Sequence, residues 1–155
     1  MSADTQMPLK ERLHADMRAA LRAADKPRLG VLRMAVAAIQ QREVDTREAV
    51  DDGGVRQVLK KMVKQRNEAA EQFRRGGRSD LADKEQAEVA VLKGYLPEPM
   101  SDAATAALVE EVIAALAAES PRDIGRVMAQ IKHRGGGRVD LGTASGLVRS
   151  RLHPR

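Results

Sequence analysis

Two carboxylates three residues apart, Glu85 and Glu88, stand in the stretch DLADKEQAEVAVLKGYLPEP. On a helix this spacing puts both on one face, where a pair with separated pKa values could serve as general acid and base, given a cleft and a nucleophile or water between them. The chain does not supply the remaining parts. It has no GxSxG turn, no histidine beside a nucleophile, and no serine-lysine or amidase-like serine-glycine run. The apolar pattern gives these acids another use. From Leu81 the inward positions step through Lys84 or Glu85 and then Glu88 to Val91 or Leu92, so Glu88 falls inside the apolar arc. Arg66, between Met62 and Ala70, interrupts the preceding stripe in the same way. The Gly76-Gly77 turn makes the two helices antiparallel neighbours, and an ion pair of Arg66 with Glu88 or Glu85 would satisfy both charges. The expected role of the three is structural, and no catalytic residue is assigned.

A second chemistry is anion binding. The full chain carries 27 Lys+Arg against 22 Asp+Glu. Residues 56 to 78 hold eight basic and two acidic residues, a net +6, and residues 132 to 155 hold six and one, a net +5. Both runs could attract a polyanion. Gly135, Gly136 and Gly137, flanked by Arg134 and Arg138, could bring backbone N–H groups and guanidinium groups to a phosphate. This is no Walker loop, since no GK[ST] follows.

Other classes are excluded or disfavoured. There is no cysteine, hence no disulfide framework, thiolate nucleophile or Cys-based zinc site. The three histidines, His14, His133 and His153, lack any HxxxH or HExxH spacing. No metal or other cofactor is expected. No stretch reaches the roughly 18 apolar residues of a membrane helix, and MSADTQMPLKERL has no signal-type apolar segment. The expectation is a cytoplasmic protein without membrane contact.

The elements that must position these groups all read as helices, because the 3.6-residue spacing recurs throughout and period-two alternation does not. The stripes are Leu9, Leu13, Met17 and Leu21; Leu29, Leu32, Val36 and Ile39, behind Asp25 as cap; Leu59, Met62, Val63, Ala70 and Phe73, from about Val55 to Arg75; and Leu81, Val91, Leu92 and Tyr95. Gly76-Gly77 is placed to end the third helix with a left-handed cap. LPEPMS, residues 96 to 101, forbids helix on both sides of Glu98 and reads as a hinge. Beyond it, Ser101, Ser120-Pro121 and Asp140 open three short helices, with HRGGGR as the connection before the last. The fold class predicted is all-α: a bundle of about four helices over residues 1-97, then a three-helix domain over residues 98-155.

In this order the segments LKERLHADMRAALRAADKPRLGVLRMAVAAIQQREVD, VLKKMVKQRNEAAEQFRRGGRSDLADKEQAEVAVLKGYLPEPMS and DIGRVMAQIKHRGGGRVDLGTASGLVRSRL resemble the GatB/YqeY family from about residue 8 to 152. The middle block is the specific one. Where the family carries a KGRADG-like turn, this chain has GGGRVDLG, keeping Arg138 and Asp140 and changing Val139 and Leu141. The resemblance implies likeness to the tail of the B subunit of the amidotransferase acting on glutamyl-tRNA(Gln) or aspartyl-tRNA(Asn). That tail reads tRNA while the chemistry of a glutamine-dependent carbon-nitrogen ligase lies in other domains. The function expected is therefore a non-catalytic binder of tRNA or another structured RNA. The contacts expected are Lys60, Lys61, Lys64, Arg74, Arg75 and Arg78 in one patch, and Arg126, Lys132, Arg134, Gly135, Gly136, Gly137, Arg138 and Arg149 in the other. The alternative is an adaptor that docks on a tRNA-charging or amidotransferase protein, anchored by apolar side chains near Leu96 and Met100.

Overall fold

Alanine, leucine, valine, isoleucine and methionine dominate the apolar residues, and such side chains pack best between helices. The computed structural model, which describes residues 7–153, is all-helical. Its α-helices are α1 (Leu9–Arg22), α2 (Lys26–Thr46), α3 (Asp52–Arg75), α4 (Ser79–Lys93), α5 (Asp102–Leu116), α6 (Ile124–Gly135) and α7 (Leu141–Leu152). The chain divides into two compact units between Leu96 and Pro97. Arg155 of the second basic run, and residues 1–6 of the N-terminal stretch read for a signal segment, lie outside the described residues.

Side-chain caps start most helices. Asp25 accepts from Arg28 N at 3.2 Å ahead of Pro27, and Asp51 accepts from Gly54 N at 2.8 Å, so α3 begins three residues before Val55. Ser101 Oγ accepts from Ala104 N at 3.1 Å, and Asp140 Oδ1 from Gly142 N at 3.0 Å. Left-handed residues stop four helices, α2 at Arg47 (φ 58°) among them. Arg78 N donates to Phe73 O at 2.8 Å around Gly77, which has φ +74°. Ala24 (φ 55°) and Ala117 (φ 49°) do the same work for α1 and α5 at the steric cost that a Cβ imposes in this region.

The first unit packs α1 antiparallel to α2 and α3 antiparallel to α4 around Leu13, Leu32, Ile39, Val55, Leu59 and Leu92. Two inward faces differ from the sequence expectation. On α1, Ala20 is buried and Leu21 is 58% exposed. On α4, Ala82 and Val89 are buried and Leu81 is only partly so. In both helices the apolar steps drift around the axis, and an alanine takes the inward position. The second unit folds α5, α6 and α7 around Val109, Val112, Val127, Ile131 and Val148. A single 3-10 turn, Pro121–Asp123, leads into α6, with Asp123 Oδ2 accepting from Ser120 N and Glu119 N. Each buried Leu, Ile or Val contributes about 1.5–3 kcal/mol.

Candidate functional site

The seam between α3 and α4 carries the most buried charge. Arg66 stands between Met62 and Ala70 on the inward face, and its side chain is 9% exposed. Its Nε donates to Glu88 Oε2 at 2.8 Å, one terminal nitrogen to Met62 O at 3.5 Å and the other to Met34 Sδ of α2 at 3.4 Å. Glu85 is partly buried on the same helix and makes no hydrogen bond or ion pair among the described residues. The structure thus brings Arg66 and Glu88 together and leaves Glu85 out of the pair. The Arg66 guanidinium holds the Glu88 carboxylate and so ties α3 to α4.

Sequence reasoning missed a second polar cluster at the end of α4. Tyr95, the chain's single tyrosine, is 4% exposed. Its hydroxyl donates to Asp16 Oδ2 at 2.5 Å and accepts from Arg28 at 3.3 Å, while the Arg12 guanidinium lies 4.7 Å from the ring centroid. Burial, then the Asp16 hydrogen bond, pushes the phenol well above its ordinary range, so it stays protonated and locks α4 to α1 and α2. The signal available in sequence was a lone aromatic just before the proline pair. Asp16 and Arg28 also line an open groove of about 250 Å³ floored by Ala19, Ala20 and Ala23. A second groove, about 630 Å³, runs between the starts of α1 and α3 past Lys10, Glu11, Asp51, Asp52 and Arg56. Polar groups around the two grooves largely bond to one another or cap helices: Lys10 holds Glu43, which also accepts from Val50 N, and Asp52 accepts from Leu9 N. Among the described residues no group of His, Asp and Glu is arranged to hold a metal ion, and no helix is long and apolar enough to cross a membrane.

The basic residues of α3 separate into two sets. Arg74 pairs with Asp83 at 3.8 Å, Arg75 with Glu71 at 2.5 Å, and Arg78 makes two 3.1 Å bonds to Asp80. The Arg78 hydrogen bond holds the Asp80 carboxyl below its ordinary range. Lys60, Lys61 and Lys64 lie together on the exposed face, and Lys61 and Lys64 make no hydrogen bond or ion pair among the described residues. The second unit repeats the division. Arg126 donates to Asp123 at 3.0 Å, Arg134 to Glu111 at 2.9 Å, and Arg151 makes two bonds to Glu110. The Arg151 hydrogen bond depresses the Glu110 carboxyl, and Glu110 raises Arg151 in return. Lys132 and Arg149 are exposed without such partners among the described residues.

The glycine run is not the flexible connection expected. Helix α6 continues through Gly135, and Gly136–Arg138 is a 3-10 turn. Gly135 is buried, and a Cβ there would meet Val139 at 2.9 Å and Leu108 at 3.2 Å. Close packing accounts for this glycine, with no phosphate required. Gly136 has φ +56°, which again selects glycine. Arg138 donates from Nε to Glu98 O at 3.0 Å, and its own carbonyl accepts from Met100 N at 2.8 Å, so it straps residues 98–100 to the second unit. Val139, one of the two positions that depart from the family turn, is buried against Gly135. The proposed apolar anchors also change: Leu96 packs against the core of the first unit and Met100 against that of the second.

A family model described as Yqey-like protein matches residues 10–152, nearly the whole length that these helices occupy. The chain belongs to the YqeY-like protein family. Among the relatives it resembles, the Altered inheritance of mitochondria protein 41, mitochondrial, of Pyrenophora tritici-repentis is 33% identical over 129 residues, covering 79% of this chain and 71% of the relative. The protein of the same name from Eremothecium gossypii is 32% identical over 85 residues, 54% of this chain and 46% of its own length. That from Candida glabrata is 30% identical over 94 residues, 59% and 52%. These names overturn the expectation of a cytoplasmic YqeY-like protein. The apolar pattern of the chain does not choose among compartments, and the relatives are named as mitochondrial.

Proposed function

We propose that this YqeY-like chain is a non-catalytic binding module for structured RNA, in the manner of the amidotransferase tail that recognises tRNA. The observation that carries the reading is the survival of exposed cations outside every intramolecular pair: Lys61 and Lys64 on α3, Lys132 on α6 and Arg149 on α7. Exposed lysines on a helix face meet phosphates as point charges, and a surface almost without aromatics favours backbone and shape recognition over base stacking. On α7 the Arg149 face also carries Gly142 and Gly146, and Gly146 has open space around the position of a Cβ, leaving room for close approach. Arg74, Arg75, Arg78, Arg134 and Arg138 are secondary in this reading because acids or carbonyls already occupy them.

A gel shift with total tRNA at two salt concentrations tests this. Affinity should fall as salt rises, with a log-log slope of about −0.9 for each phosphate neutralised on duplex. Absence of salt-sensitive binding at micromolar protein would reject it. A docking role on a tRNA-charging or amidotransferase protein is favoured by a separate feature, the outward face of α2, where Met34 is 54% and Val44 70% exposed beside Ala37. Protein recovered with the chain after ribonuclease treatment would support docking.

A further inference from the structure

Met34 combines two properties that are separate elsewhere among the described residues. It is 54% exposed, and its sulfur is the acceptor for a terminal nitrogen of the buried Arg66 at 3.4 Å. A thioether is a weak acceptor, whereas the oxygen of a sulfoxide is polar and strong. We propose that Met34 is an oxidation site at which modification by a peroxide tightens the first unit, by giving the Arg66 guanidinium a better acceptor on α2. In the step the sulfur attacks one peroxide oxygen, the O–O bond breaks and an S–O bond forms. Sulfur gives up two electrons, and the peroxide leaves as water or an alcohol carrying the proton.

The surroundings explain why the added oxygen is tolerated. The inward residues of α2 are Leu29, Val31, Leu32, Ala35, Val36 and Ile39, and Met34 is not in the core they build. Arg66 already spends its Nε on Glu88 and its other terminal nitrogen on Met62 O, so the group facing Met34 gains a partner without giving one up. Met62 gives the opposite case. It is 7% exposed within the core, and the same oxygen there would be forced among apolar side chains. One arginine therefore touches two methionines with opposed responses to one oxidant.

The test treats the full-length chain with limiting hydrogen peroxide and follows each methionine by peptide mass mapping. Thermal unfolding is then measured on material in which Met34 is converted and Met62 is not. Met34 should be oxidised at least about ten times faster than Met62, as its exposure demands. The midpoint should rise by about 3 °C. It should return when a methionine sulfoxide reductase restores the thioether. Met34→Leu, treated alike, should show no rise even though Met7, 42% exposed, is still oxidised. Met34 protected as well as Met62, or a midpoint unchanged or lowered once Met34 is converted, would overturn the proposal.

Discussion

Two basic segments of almost equal net charge, residues 56 to 78 and 132 to 155, meet different fates in the fold. In the first, one arginine enters the core, three pair with acids nearby in the chain, and a cluster of lysines remains on the surface. In the second, the acids lie far off in sequence, 23 residues for Arg134 with Glu111 and 41 for Arg151 with Glu110. Among the described residues, Lys132 and Arg149, on different helices, are left there without an ion pair. Net charge thus overstates what a partner would meet. Arginine, with its planar fork of donors, is mostly consumed in geometry, and Arg56, Lys61 and Lys64 are what the first segment leaves over among the described residues.

The sharpest break in that comparison lies at the one cation taken into the core. Arg66→Ala leaves Glu88 facing apolar side chains and should cost about 3–5 kcal/mol of first-unit stability, read from denaturant midpoints. Replacing both partners, Arg66→Met with Glu88→Leu, should recover most of that loss. If the double variant is as unstable as the single one, the pair does more than neutralise itself. Glycines give the next largest effect, and they separate packing from ligand approach in the second unit. Gly135→Ala drives a methyl into Val139 and Leu108 and should destabilise by about 1–3 kcal/mol. Gly146→Ala, on an open helix face, should stabilise by up to about 1 kcal/mol while weakening RNA binding if a backbone approaches there.

The surface cations come next. Lys61→Glu with Lys64→Glu reverses two cations of the first segment, and Lys132→Glu with Arg149→Glu two of the second. Each pair should weaken tRNA binding at least about tenfold and flatten the salt dependence by roughly two contacts, with unfolding midpoints nearly unchanged. Equal losses would show that both units contribute to binding. A loss confined to one would assign recognition to that unit.

Helices, caps and the arginine within an apolar stripe were legible because they depend on neighbours within about one turn. Ser101, Asp25 and Asp140 cap where their types and positions say they should. The inward alanines Ala20 and Ala82 were not legible, since alanine carries almost no apolar signal. The burial of Gly135 was not legible either: a Cβ there would meet Val139 and Leu108, and Leu108 is far away in sequence. The Tyr95 cluster draws on Asp16, 79 residues off, and the partners of Arg134 and Arg151 are also remote. No periodicity reports such distances. The candidate cations could be named from composition, but which of them stay available was decided by tertiary pairing.

Acid titration offers the smallest effect and bears on both units. Glu43 is held below its ordinary range first by the Lys10 hydrogen bond, Asp80 by Arg78, Glu110 by Arg151, and Asp123 by the backbone N–H of Glu119. A carboxylate with a depressed folded pKa binds fewer protons in the folded chain than in the unfolded chain. Its contribution is complete above the ordinary carboxylate range and is lost as pH falls through the folded value. Stability should therefore be flat near neutrality and decline on acidification, with no gain on the acid side. Because Asp80 and Glu110 are exposed, salt should shrink their share of the decline. The comparison between units turns on what each acid holds. Glu43 and Asp123 also bind backbone N–H groups, at Val50 and at Glu119 and Ser120, whereas Asp80 and Glu110 owe their depression mainly to an arginine. Removing the arginine in Arg151→Gln should bring Glu110 back toward its ordinary range and reduce the acid sensitivity of the second unit. Lys10→Gln should reduce that of the first only in part, because Val50 N still favours the charged Glu43.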